Sequence, residues 1–441
     1  MTDFTTMSEK RWLVAMLFSA GPAFACSSSR TSVAQGSGGG LDGSTSVGSA
    51  GAQGTGTGGS GTGGSLADAG TPSSDGSRSG FIHPGILVDQ AMLDFVHAKL
   101  ATNAEPWASA LAAAKKSALG SLSYTPHPIA DVVCGSYSNP DIGCTDEKND
   151  AEAAYTQTLL WVHTGDVNYA KKAIEIMNGW SSTITTHTDS NAPLQSAWVA
   201  EVFPRAAEII RASYSGWAAA DIAQFATMLK NVYLPEVVNG SGSNGNWELS
   251  MIEATMNIAV FTDDTATFQK ALSMWRARVP AYLYLTTDGA TPVSPPTNPK
   301  TGAALTTFWY NQTTLVDGLC QETCRDLGHV QYGLAAMINA AETALIQNVD
   351  LYGEQQTRLV AGLEFHASYL QGAAVPAWLC GGTLTAVTFD PMWEIAVNEL
   401  ATARGEAMPN AAALVAAHRP TGTDHHMAWE TLTHAQIGAV K

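Results

Sequence analysis

The sequence is poor in positive charge. It contains 22 Lys and Arg residues against 39 Asp and Glu residues, which gives a formal net charge of −17. A protein that binds nucleic acid normally presents a basic face, so this balance argues against that class of protein. An enzyme acting on a polyanion would have to gather positive charge locally, within an acidic body.

The apolar run near the N-terminus is too short to cross a bilayer as a mature helix. It covers residues 12–24, after Lys10 and Arg11, and is typical of a signal peptide. Ala25 and Cys26 follow, which resembles a lipoprotein cleavage site, with ordinary cleavage after Ala25 as the alternative. We therefore predict a signal peptide over 1–26 and a lipoprotein anchored to the outer membrane, in the periplasm or at the cell surface. A secreted protein is the alternative.

Large apolar side chains are almost missing from residues 27–79, which consist mainly of Gly, Ser, Thr and Ala. Such a segment cannot bury enough surface to offset the entropy lost on ordering. It predicts a disordered linker that acts as a flexible tether. The composition changes abruptly at Phe81, so we place one folded domain over 80–441.

Strand signals are scarce in that domain, and no sequence unit repeats at a fixed period. Tyr282–Leu285 and Gly382–Phe389 are the best strand candidates, and both are short. About a dozen helical segments follow one another, with capping residues such as Asp89 and Asp166 at their starts. This pattern predicts an all-α fold, an α/α toroid or incomplete barrel of helical hairpins, rather than a linear repeat solenoid.

Cysteine is also scarce, with six residues in 441. Cys134 and Cys144 bracket a turn-rich loop, and an exported protein could oxidise them. Cys320, Cys324 and Cys380 form a second group in which one pair would leave one thiol over, and the pairing stays open. A four-residue cysteine spacing on a helix is not a typical zinc pattern, so we predict no metal site.

One stretch, residues 319–341, carries the most suggestive polar side chains. Its pattern predicts a single helix in which steps of three and four residues bring Glu322, Arg325, His329 and Tyr332 onto one face. Asp326 lies among them, and the continuation is apolar. A guanidinium, an imidazole and a phenol at one end of a core helix indicate a catalytic site.

Other candidates lie outside this stretch. Residues 286–312 predict a long loop that ends in the aromatic residues Trp309 and Tyr310, which could stack on a sugar or pack the base of the loop. Trp393 would lie at a helix start facing the cleft. His425 and His426 could line the cleft or cap a last helix over residues 424–435.

Several segments resemble the alginate-lyase-like domain of bacterial polysaccharide lyases. HPGILVDQAMLDFVHAKLATNAEPW is similar to the start of that domain. SNGNWELSMIEATMNIAVF and ETCRDLGHVQYGLAAMINAAE are similar to its two active-site segments. The resemblance covers residues 80–441, and polysaccharide lyase families five and thirty-eight share the architecture. It implies β-elimination on a 1,4-linked polyuronate, either alginate or glucuronan.

Such a reaction needs donors that neutralise the uronate carboxylate, a base near C5 and an acid for the leaving oxygen. The resemblance assigns neutralisation to Asn246 and Arg325, and proton transfer to His329 and Tyr332, with Tyr310 as a rival phenol. In family five a catalytic His directly follows the Asn, whereas Trp247 stands here. That departure makes His329 the expected imidazole and favours the family-thirty-eight-like interpretation.

Beyond these catalytic residues, we predict contacts with the polysaccharide. The predicted substrate-binding residues are Trp247, Trp309, Tyr310, Glu322, Trp393, His425 and His426. No cofactor is required, and we expect a monomer with an acidic polysaccharide as its partner. Two alternatives stay open: a glycoside hydrolase using Glu322, Asp326 or Glu394 as paired carboxylates, and a non-catalytic glycan-binding surface lipoprotein.

Overall fold

The computed structural model describes residues 80–385 and 388–439. The predicted signal peptide, Cys26 and the linker over 27–79 lie outside the described residues. No helix in the described part of the chain has the length and apolarity needed to cross a membrane.

The described residues form a mostly helical domain with a few very short strands. The helices are α1 (Gln90–Ala101), α2 (Trp107–Lys116), α3 (Cys144–Thr164), α4 (Val167–Thr183), α5 (Ala192–Ser213), α6 (Ala219–Met228), α7 (Leu234–Val237), α8 (Gly245–Phe261), α9 (Thr265–Arg278), α10 (Gly302–Phe308), α11 (Leu327–Ile346), α12 (Leu351–Leu370), α13 (Trp393–Ala396), α14 (Pro409–His418) and α15 (Glu430–His434). π-Helical turns over Leu229–Tyr233 and Val397–Ala403 continue α6 and α13.

The strands are β1 (Gly85–Ile86), β2 (Val88–Asp89), β3 (Asp131–Cys134), β4 (Asp141–Ile142), β5 (Thr186–Thr188), β6 (Thr423–Asp424) and β7 (Met427–Ala428). β1 with β2 and β6 with β7 form antiparallel hairpins, and β3 lies between antiparallel β4 and parallel β5. None of these strands coincides with the two that the sequence suggested. Tyr282–Leu285 contributes only an isolated bridge between Leu283 and Cys320. In the described residues between 382 and 389 the chain is irregular.

The helices pack as hairpins around a common axis, and the α/α toroid is confirmed. α3, α5, α8 and α11 contact one another in that order, while α4, α9 and α12 pack outside α3, α8 and α11. Contacts continue from α11 through α13 and α15 to α1, which returns to α3. Almost every residue of α8 and most of α5 and α11 are buried, because these inner helices are covered on all sides.

The caps predicted at Asp89 and Asp166 are confirmed, and other helix ends are formed by similar local interactions. Asp89, Asp166 and Asp264 each accept a hydrogen bond from a backbone N–H in the first turn of α1, α4 and α9. Gly165 ends α3 in the left-handed region with φ of 72°.

The predicted helix over 319–341 is wrong in its first third. Residues 321–325 form turns, and α11 begins at Leu327 with Asp326 as its N-cap. Asp326 accepts a hydrogen bond from the backbone N–H of His329, and this local bond competes with helix continuation toward the N-terminus. The predicted helix over 424–435 is also wrong, because β6 and β7 form a hairpin before α15. The long loop over 286–312 contains α10.

Two disulfides settle which cysteines pair. Cys134 pairs with Cys144, and Cys324 pairs with Cys380, while Cys320 is left as a buried free thiol. The second disulfide fixes the turn before α11 to a segment 56 residues later.

Candidate active site

The turn before α11 caps the N-terminus of the neighbouring helix α8. Gln321 Oε1 accepts a hydrogen bond from the backbone N–H of Gly245 at 2.9 Å, and Glu322 Oε2 accepts one from the backbone N–H of Asn246 at 2.9 Å. These are amide groups that have no partner within their own helix. The two segments that resemble active-site segments are therefore joined by backbone capping.

The carboxylate of Glu322 also holds two of the predicted catalytic side chains. It accepts hydrogen bonds from Asn246 Nδ2 at 2.7 and 2.8 Å, and from Arg325 Nη1 at 2.8 Å. Glu322 is fully buried, so it lies behind the cleft and orients its neighbours. Its predicted contact with substrate is therefore wrong in this structure. The Asn246 amide nitrogen points to Glu322, which leaves the buried Oδ1 without a partner among the described residues.

Burial opposes the charge of Arg325, but the neighbouring carboxylate of Glu322 outweighs it and raises the pKa of Arg325. The guanidinium side chain remains 19% exposed toward the cleft. One of its N–H groups is engaged by Glu322, and a guanidinium has five. Arg325 can therefore offer a fixed positive charge and further donors to a bound anion.

His329 lies in the first turn of α11 and is held by the residue that caps the helix. Its Nδ1 is 2.6 Å from Oδ2 of Asp326, whose other oxygen accepts the backbone N–H of His329. Burial would raise the pKa of Asp326, but the hydrogen bonds from His329 outweigh it, and the pKa is lowered. The ionised carboxylate fixes the imidazole through Nδ1 and leaves Nε2 as the nitrogen available to a ligand.

Tyr332 is one turn further along α11, with its ring centroid 6.1 Å from that of His329. Burial, followed by the charges of Asp424 and Asp390, raises the pKa of its phenol well above the usual range. The hydroxyl lies 3.5 Å from Oδ2 of Asp424 on the β6–β7 hairpin. Tyr332 is therefore a phenol that keeps its proton.

These side chains line one open cleft of about 340 Å³. Of the residues predicted from the sequence, the cleft contains Asn246, Trp247, Arg325, His329, Tyr332 and His425. Its other lining residues are Ser136, Tyr137, Ser138, Asn191, Leu194, Trp198, Ser243 and Asn244. The proposed catalytic residues from α8, the turn before α11 and α11 itself are thus brought together.

Four predicted substrate contacts lie elsewhere. Trp309 is buried in a small apolar cluster with Leu319 and Leu379, and Trp393 is buried with its indole N–H donated to Gln331. His426 is fully buried beneath Tyr332, to whose carbonyl oxygen its Nε2 lies at 3.1 Å. Tyr310 does not line the cleft, but its hydroxyl accepts a hydrogen bond from Asn244, which does. The first three were misassigned because aromatic side chains serve packing as readily as sugar binding.

The cleft lining carries little positive charge for a polyanion substrate, and acidic side chains lie close behind it. Of the described residues that line it, Arg325 is the one Lys or Arg. Asp390 lies close enough to Asp424 and Asp326 for their charges to act on it. Burial, followed by those two charges, raises its pKa to about 7. A protonated Asp390 removes one negative charge from the neighbourhood of the site below neutral pH.

A second polar cluster lies beneath the cleft. Within the described ranges, Glu201, Glu253 and His426 are the group whose ligand atoms lie close enough together to hold a metal ion. However, the guanidinium of Arg205 contacts Glu253 and donates to the carbonyl oxygen of His426 at 2.6 Å. The protein therefore supplies positive charge there itself, and the cluster supports the β6–β7 hairpin.

Sequence reasoning missed Trp198, Asp424 and Asp390. Trp198 lies inside α5 with no polar motif around it, so no local signal distinguished it from a core residue. Asp424 directly precedes His425 and could have been paired with it, because a carboxylate beside an imidazole is a common orienting arrangement. The raised pKa of Asp390 depends on burial and on Asp424 and Asp326, which are distant in sequence, so no local pattern indicated it.

Comparison with known proteins places this geometry in context. Residues 140–293 match the model of a family described as Alginate lyase. No curated protein matches the chain at a significant level.

Among solved structures, alginate lyase A1-III from Sphingomonas species A1 is similar, with a TM-score of 0.54 and 15% identity over 80% of this chain and 97% of that one. A histidine-to-alanine variant of alginate lyase A1-III complexed with tetrasaccharide has a TM-score of 0.57 and 15% identity, over 81% of this chain and 97% of that one. A tyrosine-to-phenylalanine variant of the same enzyme with tetrasaccharide has a TM-score of 0.55 and 17% identity, over 81% of this chain and 97% of that one. At these identities the structural likeness shows the fold alone.

Proposed function

We propose that this chain, of which residues 140–293 match the Alginate lyase family model, is a polysaccharide lyase that cleaves a 1,4-linked polyuronate by β-elimination. The observation that carries the proposal is the convergence of Arg325, the Asp326-held His329 and the protonated Tyr332 on one cleft. A cation, a base and an acid are the three groups that this elimination requires.

In this mechanism the uronate carboxylate binds Arg325. The C5 proton lies α to that carboxylate, and it becomes removable when the negative charge that develops on the carboxylate is neutralised. Arg325 supplies charge and directional donors together, and Glu322 holds it in place. The side-chain amide nitrogen of Asn246 is bonded to Glu322. Asn246 lies in the first turn of α8, where the positive end of the helix dipole favours the bound carboxylate.

His329 Nε2 removes the C5 proton, and the electron pair of that bond forms the C4–C5 double bond. The bond between C4 and the linking oxygen breaks, and that oxygen takes the phenolic proton of Tyr332. Asp326 stabilises the imidazolium that forms on His329. The pKa of Tyr332, raised by burial and by Asp424, keeps the phenol protonated until the leaving oxygen needs it.

The placement of the base and the acid narrows the substrate. His329 and Tyr332 are one turn apart on α11, so both reach the sugar from the same wall of the cleft. A pair on one side favours elimination of a proton and an oxygen that lie on the same side of the ring. D-Mannuronate and D-glucuronate present C5–H and O4 in that relation, whereas guluronate presents them on opposite sides. We therefore propose mannuronate-rich alginate or glucuronan as the substrate.

The glycoside hydrolase alternative is disfavoured by the positions of its carboxylates. Glu322 is fully buried, Glu394 is buried against Arg419, and Asp326 is bound to His329. A hydrolase needs two carboxyl groups facing each other across the scissile bond. None of these three residues lines the cleft.

The test is incubation of the purified protein with polymannuronate, polyguluronate and glucuronan while ultraviolet absorbance is recorded. The new double bond is conjugated with the carboxylate and absorbs, so a lyase gives rising absorbance on polymannuronate or glucuronan. New reducing ends without absorbance would indicate a hydrolase. Binding without any product would support the glycan-binding alternative and contradict the lyase proposal.

We also propose that Cys26 is lipidated and anchors the chain to the outer membrane, with residues 27–79 as a tether. This rests on the residues that precede Cys26 and on the composition of the linker. Cell fractionation of the wild type and of Cys26→Ala tests it. The wild type should sediment with membranes and the variant should be released, whereas a soluble wild type would contradict lipidation.

A further inference from the structure

The cleft contains a second imidazole that the elimination does not use. His425 lies in the turn between β6 and β7, on a left-handed backbone with φ of 52°. Its backbone N–H donates to Glu152 at 3.1 Å, and the following carbonyl, that of His426, accepts from Arg205. The turn is therefore fixed from the core, and His425 is presented to the cleft on a rigid support.

The ring of His425 is also fixed by its neighbours. Nδ1 is hydrogen-bonded to Asp424, and the ring packs at 4.4 Å against Trp198 and at 5.1 Å against Tyr332, between centroids. Among the described residues no partner is found for Nε2, and the side chain is 17% exposed at the cleft. Nε2 is therefore the atom that a ligand can reach.

The environment also sets which kind of hydrogen bond Nε2 makes. Burial lowers the pKa of His425 in spite of Asp424, so the ring is neutral at neutral pH. A neutral ring that donates Nδ1–H to a carboxylate has its lone pair on Nε2. The cleft thus holds an acceptor beside Tyr332, and the hydroxyl groups of a sugar ring are donors of the required kind.

Mannuronate and glucuronate differ only in the orientation of the hydroxyl at C2. Both polymers offer the same carboxylate, the same C5 proton and the same leaving oxygen to Arg325, His329 and Tyr332. Those three residues therefore cannot distinguish the two polymers. A rigid acceptor beside the reacting ring can do so, because a fixed hydrogen bond accepts only one orientation of a hydroxyl.

We propose that Nε2 of His425 accepts a hydrogen bond from the C2 hydroxyl of the bound uronate and so determines the preference between mannuronate and glucuronate polymers. The inference rests on the proposed lyase function. Asp424 acts as a positioning residue that holds the ring through Nδ1, and Trp198 supports its edge.

The experiment compares kcat/KM on polymannuronate and on glucuronan for the wild type, His425→Ala, His425→Gln and the control His97→Ala. His97 is exposed on α1 and is not a cleft residue. The ratio of the two kcat/KM values should change about tenfold in His425→Ala, which is the range expected for one neutral hydrogen bond. His425→Gln, which keeps an acceptor oxygen, should restore part of the ratio, and His97→Ala should keep it.

Equal losses on both polymers would overturn the proposal, since a purely structural or catalytic role lowers both rates together. An unchanged ratio in His425→Ala would overturn it as well. Wild-type absorbance on neither polymer would contradict the lyase function itself, so failure of the two proposals can be told apart.

Discussion

At the scale of single residues, the site is organised by carboxylates that hold its functional side chains in place. Glu322 fixes Asn246 and Arg325, Asp326 fixes His329, and Asp424 fixes His425. Each acid serves as an orienting partner, and none of them lines the cleft itself. The excess of acidic residues, which looked unfavourable for an enzyme acting on a polyanion, is partly explained by this use.

His329→Ala should abolish turnover, with a loss of about 10²–10⁴-fold for a removed acid–base group. The side chain is 29% exposed and contacts mainly Asp326, so the fold should persist. Initial rates from ultraviolet absorbance check the first point, and circular dichroism with a thermal melt checks the second. His97→Ala is the matched control, and retained activity in His329→Ala would remove His329 from the mechanism.

Asp390 should make substrate affinity depend on pH. Its pKa is raised to about 7 by burial and by Asp424 and Asp326, so it is protonated below that pH and charged above it. The added negative charge should weaken binding of a polyanion, and KM should therefore rise between about pH 6 and 8. Asp390→Asn should flatten that rise while leaving kcat near the wild-type value, whereas an unaltered KM profile would contradict this role.

At the scale of elements, the meeting of α8 and α11 depends on small residues. Gly245 at the start of α8 and Gly333 in α11 both lie against the buried ring of Tyr282. A Cβ atom would come within 2.0 Å of the ring at Gly245 and within 2.3 Å of the hydroxyl at Gly333. Tyr282 lies between them, and its hydroxyl reaches Glu322 at 3.3 Å. The two glycines therefore permit the close approach that brings Asn246 near Arg325.

Gly333→Ala should consequently destabilise the domain by about 1–3 kcal/mol, because Tyr282 cannot move away without meeting Gly245. Urea unfolding followed by tryptophan fluorescence measures the change. Gly179→Ala in α4 is the matched control, since its Cβ would be 3.4 Å from Pro128 and the substitution favours a helix. Equal stability of the two variants would show that the Tyr282 side chain can move aside, and it would contradict this prediction.

At the scale of the whole molecule, the start of the domain is tied to the toroid by a titrating residue. His83 Nδ1 lies 2.7 Å from Glu208 on α5, and Nε2 lies 3.0 Å from Asp263. The hydrogen bond with Glu208 outweighs desolvation and raises the pKa of His83. The protonated ring thus connects the chain entering the domain to buried Glu208 on α5 and to exposed Asp263 after α8.

Because the pKa of His83 is raised on folding, its contribution to stability is fully present below the unfolded value of about 6.5. That contribution is lost as pH rises through the folded pKa. His83→Ala should therefore lower the Tm more at pH 5.5 than at pH 8.5, as scanning calorimetry can measure. A constant difference across that range would show that His83 acts by packing and not by charge.

The sequence by itself determined the helical character and many helix boundaries. Asp89, Asp166 and Gly165 act through bonds and dihedral angles within a few residues, and such local effects can be read from the chain. The i, i+3 spacing of His329 and Tyr332 likewise fixed their common face once α11 was recognised.

Only the tertiary structure decided which polar residues meet. The break before α11 combines the local cap of Asp326 with the capping of α8 by Gln321 and Glu322, and only the second depends on the tertiary structure. The place of His425 beside Tyr332 follows from a hairpin 92 residues further on. Trp309 and Trp393 are of a residue type that often binds sugars, but both are buried in this structure. Burial and long-range hydrogen bonds depend on which elements pack together, and that is a property of the whole toroid.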